Sequence, residues 1–228
     1  LISVIIQKMI NSDTSGIMFS VNPATSNRDE ITIEASYGLG EFVVGGKVTA
    51  DLYILNKETL EIKTKRISKK KIGMFRDAKT GENYTKKIPE QDQQKQVLTT
   101  SEIIDLAELA KKSEEHYKKP QDMEFAIEDH RIYIVQSRPV TTLRDQVKAS
   151  TLKGKILLEG LSASPGVGIG EVKIVTEENM HEFEQGQILV TKMTNPTMVP
   201  IMQKAEAIVT DEGSITSHAA IVGRELGK

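Results

Sequence analysis

His218 stands in Thr210-Asp211-Glu212-Gly213-Ser214-Ile215-Thr216-Ser217-His218-Ala219-Ala220-Ile221-Val222, where a Gly-containing loop runs into a short helical stretch closed by Gly227. Near neutral pH an imidazole is a largely uncharged nucleophile. A helix N-terminus offers unpaired N–H groups and the positive end of a dipole to phosphate. The pattern fits a side chain that carries a phosphoryl group on nitrogen. A capping or core histidine is the competing reading, which the glycine turn and the neighbouring Thr216 and Ser217 hydroxyls weigh against. His116 falls in a charged helical end, His130 in a turn and His181 beside Glu177, Glu178 and Glu182, so all three are expected at the surface. The four are too scattered for an expected histidine-built metal site.

A second constellation pairs Asp122 and Glu124, two apart on one expected strand, with Gln136 and Arg138, two apart on the next. Period-two geometry puts each pair on one face. Two carboxylates and an amide oxygen suit Mg²⁺, and a neighbouring guanidinium can hold phosphate bidentately. A cross-strand salt bridge on a solvated face is the alternative. Glu34 and Glu41 flank Ser36-Tyr37-Gly38-Leu39-Gly40, a turn that could aim Glu41, although Gly-x-Gly alone is weak evidence. Ser164-Pro165-Gly166-Val167-Gly168-Ile169-Gly170 lacks the Gly-Lys-Ser/Thr of a phosphate cradle and reads as a bend or close-packing site.

The elements that must position these residues fall into two sets. Residues 1 to about 62 alternate β-rich runs with Gly, Asn and Pro: Val4-Ile5-Ile6, Gly16 to Val21, Glu30 to Glu34 and Leu52 to Leu55. Lys63 to Lys71 holds six basic residues and is expected as an exposed loop or edge. A helix of roughly fifteen residues is expected from a Thr100 or Ser101 cap, ended by Pro120. Met123 to Ile127 and Ile132 to Gln136 then flank Glu128-Asp129-His130-Arg131 as a hairpin. A polar linker at 143–154 separates a first domain (1–142) from a second (155–228), whose short strands and spacers predict a compact mixed α/β module.

Bulk properties narrow the function class. Lys plus Arg (30) nearly balance Asp plus Glu (32), giving a formal charge of −2, so no global field selects nucleic acid or an acidic membrane. Zero cysteines exclude disulfides and thiol catalysis and fit a reducing cytoplasm. No signal-peptide pattern or long apolar window is present, so a soluble chain is expected. Leu1 opens inside a β-rich run and Lys228 directly follows Gly227, so a fragment of something longer is expected.

Asp211 to Gly227 resembles the phosphohistidine signature of phosphoenolpyruvate-utilising enzymes, most closely the phosphoenolpyruvate synthase (pyruvate, water dikinase) branch. The likeness continues through Val190 to Pro200 and Ser164-Pro165-Gly166. The first domain is similar to that family's ATP-grasp nucleotide domain at Gln7-Lys8-Met9, Ser15 to Phe19, Asn22-Pro23, Ile33 to Glu41, Gln121 to Phe125 and Gln136 to Pro139. The resemblance implies a mixed α/β fold in which the C-terminal part of an ATP-grasp domain precedes a swivelling phosphohistidine domain. It implies that His218 is the phosphoryl carrier, that Glu124 and Gln136 contact Mg²⁺, that Arg138 holds phosphate, and that Glu41 and Asp122 line the nucleotide site. Gln7 to Met9 would border adenine, and Thr216 would be a site for a regulatory kinase.

The implied reaction is ATP, pyruvate and water to AMP, phosphoenolpyruvate and phosphate, with a homodimer suggested for the whole enzyme. Its pyruvate-binding barrel and the first half of the nucleotide domain have no counterpart in these residues, so the chain alone is expected not to run the full reaction. Ser214 departs from the family by replacing a second Gly. Pyruvate, phosphate dikinase, an antibiotic phosphotransferase of the rifampin type and a non-catalytic nucleotide-binding relative remain as other readings.

Overall fold

A computed structural model describes residues 4–140, 143 and 155–228. Apart from Leu143, the expected linker lies outside the described residues. The architecture is mixed α/β, as expected.

Six strands form one antiparallel sheet in the order β4-β3-β2-β1-β7-β8. They are β1 (Thr14–Phe19), β2 (Glu30–Tyr37), β3 (Asp51–Asn56), β4 (Ile62–Arg66), β7 (Gln121–Glu128) and β8 (Arg131–Pro139). Alternation gives this sheet two unlike faces. Met18, Ile31, Ile33, Ala35, Tyr53, Leu55, Met123, Phe125 and Ile127 point one way and are buried against Ile103, Leu106, Ala107 and Ala110 of helix α2 (Thr100–Tyr117). The opposite face receives Thr32, Glu34 and Ser36 from β2, and Asp122 and Glu124 from β7.

Helix α2 begins one residue before the expected caps. Thr99 accepts from the Glu102 N–H while the Glu102 carboxylate accepts from the Thr99 N–H, a reciprocal capping box. The helix runs 18 residues and stops at Lys118, whose φ of +56° is the left-handed C-terminal conformation.

β8 contains a bulge. Glu124 pairs with Gln136 but Phe125 pairs with Ile134, so Val135 is the extra residue. Strict alternation would put Ile132, Ile134, Gln136 and Arg138 on one face. The bulge instead sends the two isoleucines toward the α2 side and the two polar residues to the other.

Two expectations are corrected. Val4-Ile5-Ile6 forms no strand and is exposed, Ile6 at 97%, because β-branched residues make a strand only where a partner ladder and a packing surface exist. The basic stretch is only partly an exposed edge. Lys63, Lys65 and Arg66 lie on edge strand β4, but Lys70 is fully buried in an ion pair with Asp51. Asp51 also accepts from the N–H groups of Ser68 (2.9 Å) and Val97 (3.0 Å) and from the Tyr53 hydroxyl (3.3 Å). This network ties β3 to the segment that leads into the hairpin of β5 (Ile72–Arg76) and β6 (Asn83–Lys87). Burial and the Asp51 charge push the Tyr53 phenol well above its ordinary range.

The second module is built on a parallel sheet in the order β11-β10-β9, from β9 (Val172–Ile174), β10 (Ile188–Thr191) and β11 (Ala207–Thr210). Its core gathers Val175, Phe183, Leu189, Met198, Ile201, Met202 and Ala205, with α3 (Val199–Lys204) and α4 (His218–Leu226) as its helices. Gly168 and Gly170 serve packing. A Cβ on Gly168 would fall 2.6 Å from the Ala207 Cβ, and one on Gly170 would fall 2.3 Å from the Gly186 carbonyl oxygen. Among the described residues no helix is long and apolar enough to cross a membrane.

Removing one partner of a buried ion pair strands the other. Lys70→Met should therefore lower the unfolding free energy by about 3 kcal/mol, whereas Lys63→Met, which removes an exposed partner of Glu30, should cost less than about 1 kcal/mol. Denaturant unfolding of the two variants measures the contrast.

Candidate functional site

The polar face of the six-stranded sheet is organised in rows. Ile17 pairs with Glu34 on one side and Glu124 on the other, and Glu124 pairs with Gln136. Phe19 likewise pairs with Thr32 and Asp122, and Asp122 with Arg138. Adjacent strands lie about 4.8 Å apart, so Glu34 and Glu124 stand about 10 Å apart on one surface.

Arg138 donates to the Asp122 carboxylate from Nε at 2.9 Å and approaches it through Nη2 at 2.8 Å; Gln136 Nε2 donates to Glu124 Oε1 at 3.1 Å. The salt bridge is solvated on one side only: the Arg138 side chain is 58% exposed and that of Asp122 12%. Burial raises the Asp122 pKa against the pull of Arg138. Burial and then the Asp122 charge raise that of Glu124. Asp122 has its guanidinium partner, whereas Glu124 is bonded to a neutral amide, and a hard cation there would favour its ionised form. The Gln136 amide presents its nitrogen to this carboxylate; turned about, it would offer an oxygen beside Glu124, and the two could then hold Mg²⁺ whose shell is completed by water and phosphate. Among the described residues no group of three or more His, Asp or Glu side chains is placed to hold a metal alone.

The remaining first-domain candidates sit apart from this quartet. Gln7 donates to the carbonyl of the bulge residue Val135 at 3.2 Å. Met9 is half exposed. Glu41 opens the four-residue helix α1 (Glu41–Val44) and lies exposed, 4.0 Å from Lys47. The turn before it is fixed by Gly38, with φ +79°, whose carbonyl accepts from the Ser12 and Ser15 hydroxyls at 3.0 and 2.6 Å.

His218 is the first residue of α4, and Gly227 closes that helix with φ +81°. The Ser217 hydroxyl leaves the helix end open, donating instead to the Ser214 carbonyl at 2.9 Å. The hydroxyl that touches the imidazole is that of Thr194, 2.8 Å from Nδ1. Burial alone lowers the His218 pKa, which favours the neutral ring.

The histidine loop also lies against the first module. Ile215 packs with Ala24, Leu52 and Ile54. The Glu34 carboxylate accepts from the Ile215 N–H at 3.2 Å and from the Thr216 hydroxyl, and Thr216 is wholly buried. Arg224 braces the loop from α4 by donating through Nη1 to the carbonyls of Ile215 (2.7 Å) and Ala163 (2.8 Å). A Cβ built on Gly46, just past α1, would lie 3.4 Å from the Ser217 Cβ and 3.8 Å from the His218 nitrogen.

Residues 1–155 match the model of the pyruvate phosphate dikinase AMP/ATP-binding domain family. The chain belongs to this AMP/ATP-binding domain family. Residues 183–228 match a second model, the mobile domain of PEP-utilising enzymes. Relatives of the AMP/ATP-binding domain chain include the phosphoenolpyruvate synthase of Pyrococcus furiosus, 49% identical over 99% of this chain and 29% of the relative. The probable phosphoenolpyruvate synthase of Archaeoglobus fulgidus is 47% identical over 99% of this chain and 30% of its own length. The phosphoenolpyruvate synthase of Aeropyrum pernix is 40% identical over the whole of this chain and 32% of its own length. The chain therefore spans under a third of these three relatives.

Within this AMP/ATP-binding domain chain, Thr194 was not singled out from sequence for the histidine loop, and Glu34 was noted only as flanking the glycine turn. Thr194 lies 24 positions from His218 and nothing local marks it. Glu34 alternates with the apolar Ile31, Ile33 and Ala35, which assigns it to the polar face.

His218 should titrate below about 6.5, the ordinary imidazole value, in a proton-detected nitrogen NMR titration. Thr194→Val should convert one dominant ring tautomer into a mixture by removing the only hydroxyl bonded to Nδ1 among the described residues.

Proposed function

We propose that the chain is the central portion of a phosphoenolpyruvate synthase, converting ATP, pyruvate and water to AMP, phosphoenolpyruvate and phosphate by way of His218. The observation that carries this reading is the placement of a partly buried, neutral-leaning imidazole at the start of α4, against the Gly46 loop of the nucleotide-binding module. Residues 1–142 act as an ATP-grasp nucleotide module, 143–154 as the linker, and 155–228 as the phosphohistidine carrier.

With its proton on Nδ1 donated to Thr194, His218 keeps a lone pair on Nε2 for attack on the β-phosphorus of ATP. The N–P bond forms as the bond to the AMP oxygen breaks, and AMP leaves. Water then takes the outer phosphate, and the remaining phosphoryl group passes to pyruvate at a site outside these residues. Splitting one transfer into steps lowers each barrier. Glu124 and Gln136 would hold Mg²⁺, whose chemistry there is neutralisation of phosphate charge. Arg138 is oriented by Asp122 and left 58% exposed, free to hold a phosphate oxygen pair. Glu41, Gln7 and Met9 border the nucleotide in this reading.

The sequence set Ser137-Arg138-Pro139-Val140-Thr141 and the relatives' names favour the synthase over pyruvate, phosphate dikinase, and phosphate dependence of turnover separates the two. A cytoplasmic homodimer completes the proposal. Phosphorylation of Thr216 by a regulatory kinase would place a second anion two residues from His218 and oppose transfer. Burial of that hydroxyl requires the loop to lift before a kinase can reach it.

The test uses a protein carrying this chain at the relatives' full length, incubated with Mg²⁺ and ATP labelled at the β-phosphorus. Acid-labile label should map to the His218 peptide and vanish in His218→Ala, with ATP binding retained. Because only the neutral ring attacks, labelling should fall as pH drops, with a midpoint below about 6.5. Label that persists in His218→Ala would overturn the reading.

A further inference from the structure

We infer that Glu34 is the positioning residue that docks the His218 module on the nucleotide module, by accepting hydrogen bonds from Thr216 and Ile215 across the two. The functional meaning of that docking rests on the phosphohistidine reading above; the contact itself does not.

β2 sends Glu30, Thr32, Glu34 and Ser36 to this face; Glu30 is held at the strand's start by Asn22 and Lys63, and of the other three only Glu34 is hydrogen-bonded. The Thr32 and Ser36 hydroxyls on either side of it are buried and make no hydrogen bond. Glu34 instead takes the Thr216 hydroxyl and the Ile215 N–H, while the Ser214 hydroxyl lies 3.1 Å from that of Thr216. Each donor comes from the few residues before His218, so one carboxylate fixes the loop from which α4 starts.

Hydrogen bonds to a buried carboxylate are among the stronger ones in a protein, and an unsatisfied partner is costly. A buried, unpaired Glu34 would be disfavoured whenever the loop is away. The undocked state therefore needs water over β2, and the docked state has one register. Ile215 on Leu52 and Ala24 adds apolar area but little angular definition. The Glu34 pair supplies the direction that holds His218 beside the Gly46 loop. A phosphate on Thr216 would meet this carboxylate at hydrogen-bond distance, so modification and docking exclude each other.

The absence of cysteine in the chain makes the test clean. A Cβ on Gly46 would stand 3.4 Å from the Ser217 Cβ, close to the separation of about 3.8 Å that a disulfide spans. In the whole chain, Gly46→Cys with Ser217→Cys should form an intramolecular disulfide under mild oxidation, quantified by alkylation and mass spectrometry. The strain of a side chain at Gly46, with φ +66°, is common to every variant compared.

Adding Glu34→Ala or Thr216→Val should each slow trapping about tenfold or more. The two together should slow it little further, since both remove one interaction. Glu34→Gln, which keeps an acceptor oxygen, should fall between. Trapping at the parent rate in folded Glu34→Ala would overturn the inference and leave Ile215 as the docking contact. Should Glu34→Ala lose its circular dichroism, Thr216→Val decides from the other module, and an unchanged rate there is equally fatal. The readout uses neither ATP nor turnover, so its failure is distinct from failure of the proposed reaction.

Discussion

The alternation of side chains across one antiparallel sheet is the constraint on which everything else rests. A strand whose odd positions fill an apolar core has its even positions free for chemistry, and α2 can cover only one side. Once Ile31, Ile33, Met123 and Phe125 are committed to that helix, Glu34, Asp122 and Glu124 have no choice of face. The polar surface follows directly from satisfying the core.

That surface explains why carboxylates tolerate burial here. Asp122 is held by a guanidinium, Glu34 by donors from the other module, and Glu124 by a single amide on the same sheet. Burial raises all three pKa values, and the differing partners separate their roles. Glu124 is supported by one neutral donor from its own sheet, the Gln136 amide. Glu34 is the one whose support arrives from outside its own domain.

Much of this was legible in the residues. The spacing of Asp122 with Glu124 and of Gln136 with Arg138 placed each pair on a strand face, and Gly213, Ser217 and Gly227 bracketed the His218 helix. Less legible were contacts made by residues distant in sequence. Lys70 reads as one more surface cation until Asp51, 19 positions earlier, takes it into the interior. Thr194 reads as loop until the fold brings its hydroxyl to an imidazole. Val4-Ile5-Ile6 has the composition of a strand but no neighbour among the described residues. Local propensity names what a segment can form, and tertiary partners decide whether it does.

The extra residue at Val135 has a consequence for how the hairpin closes. Zipped from its turn without the bulge, β8 would set Gln136 against Met123 and Arg138 against Gln121, both of which face the α2 side and are buried. A guanidinium forced into that layer carries a heavy desolvation penalty. The extra residue at Val135 is therefore what keeps Arg138 out of the core layer and beside Asp122 on the opposite face.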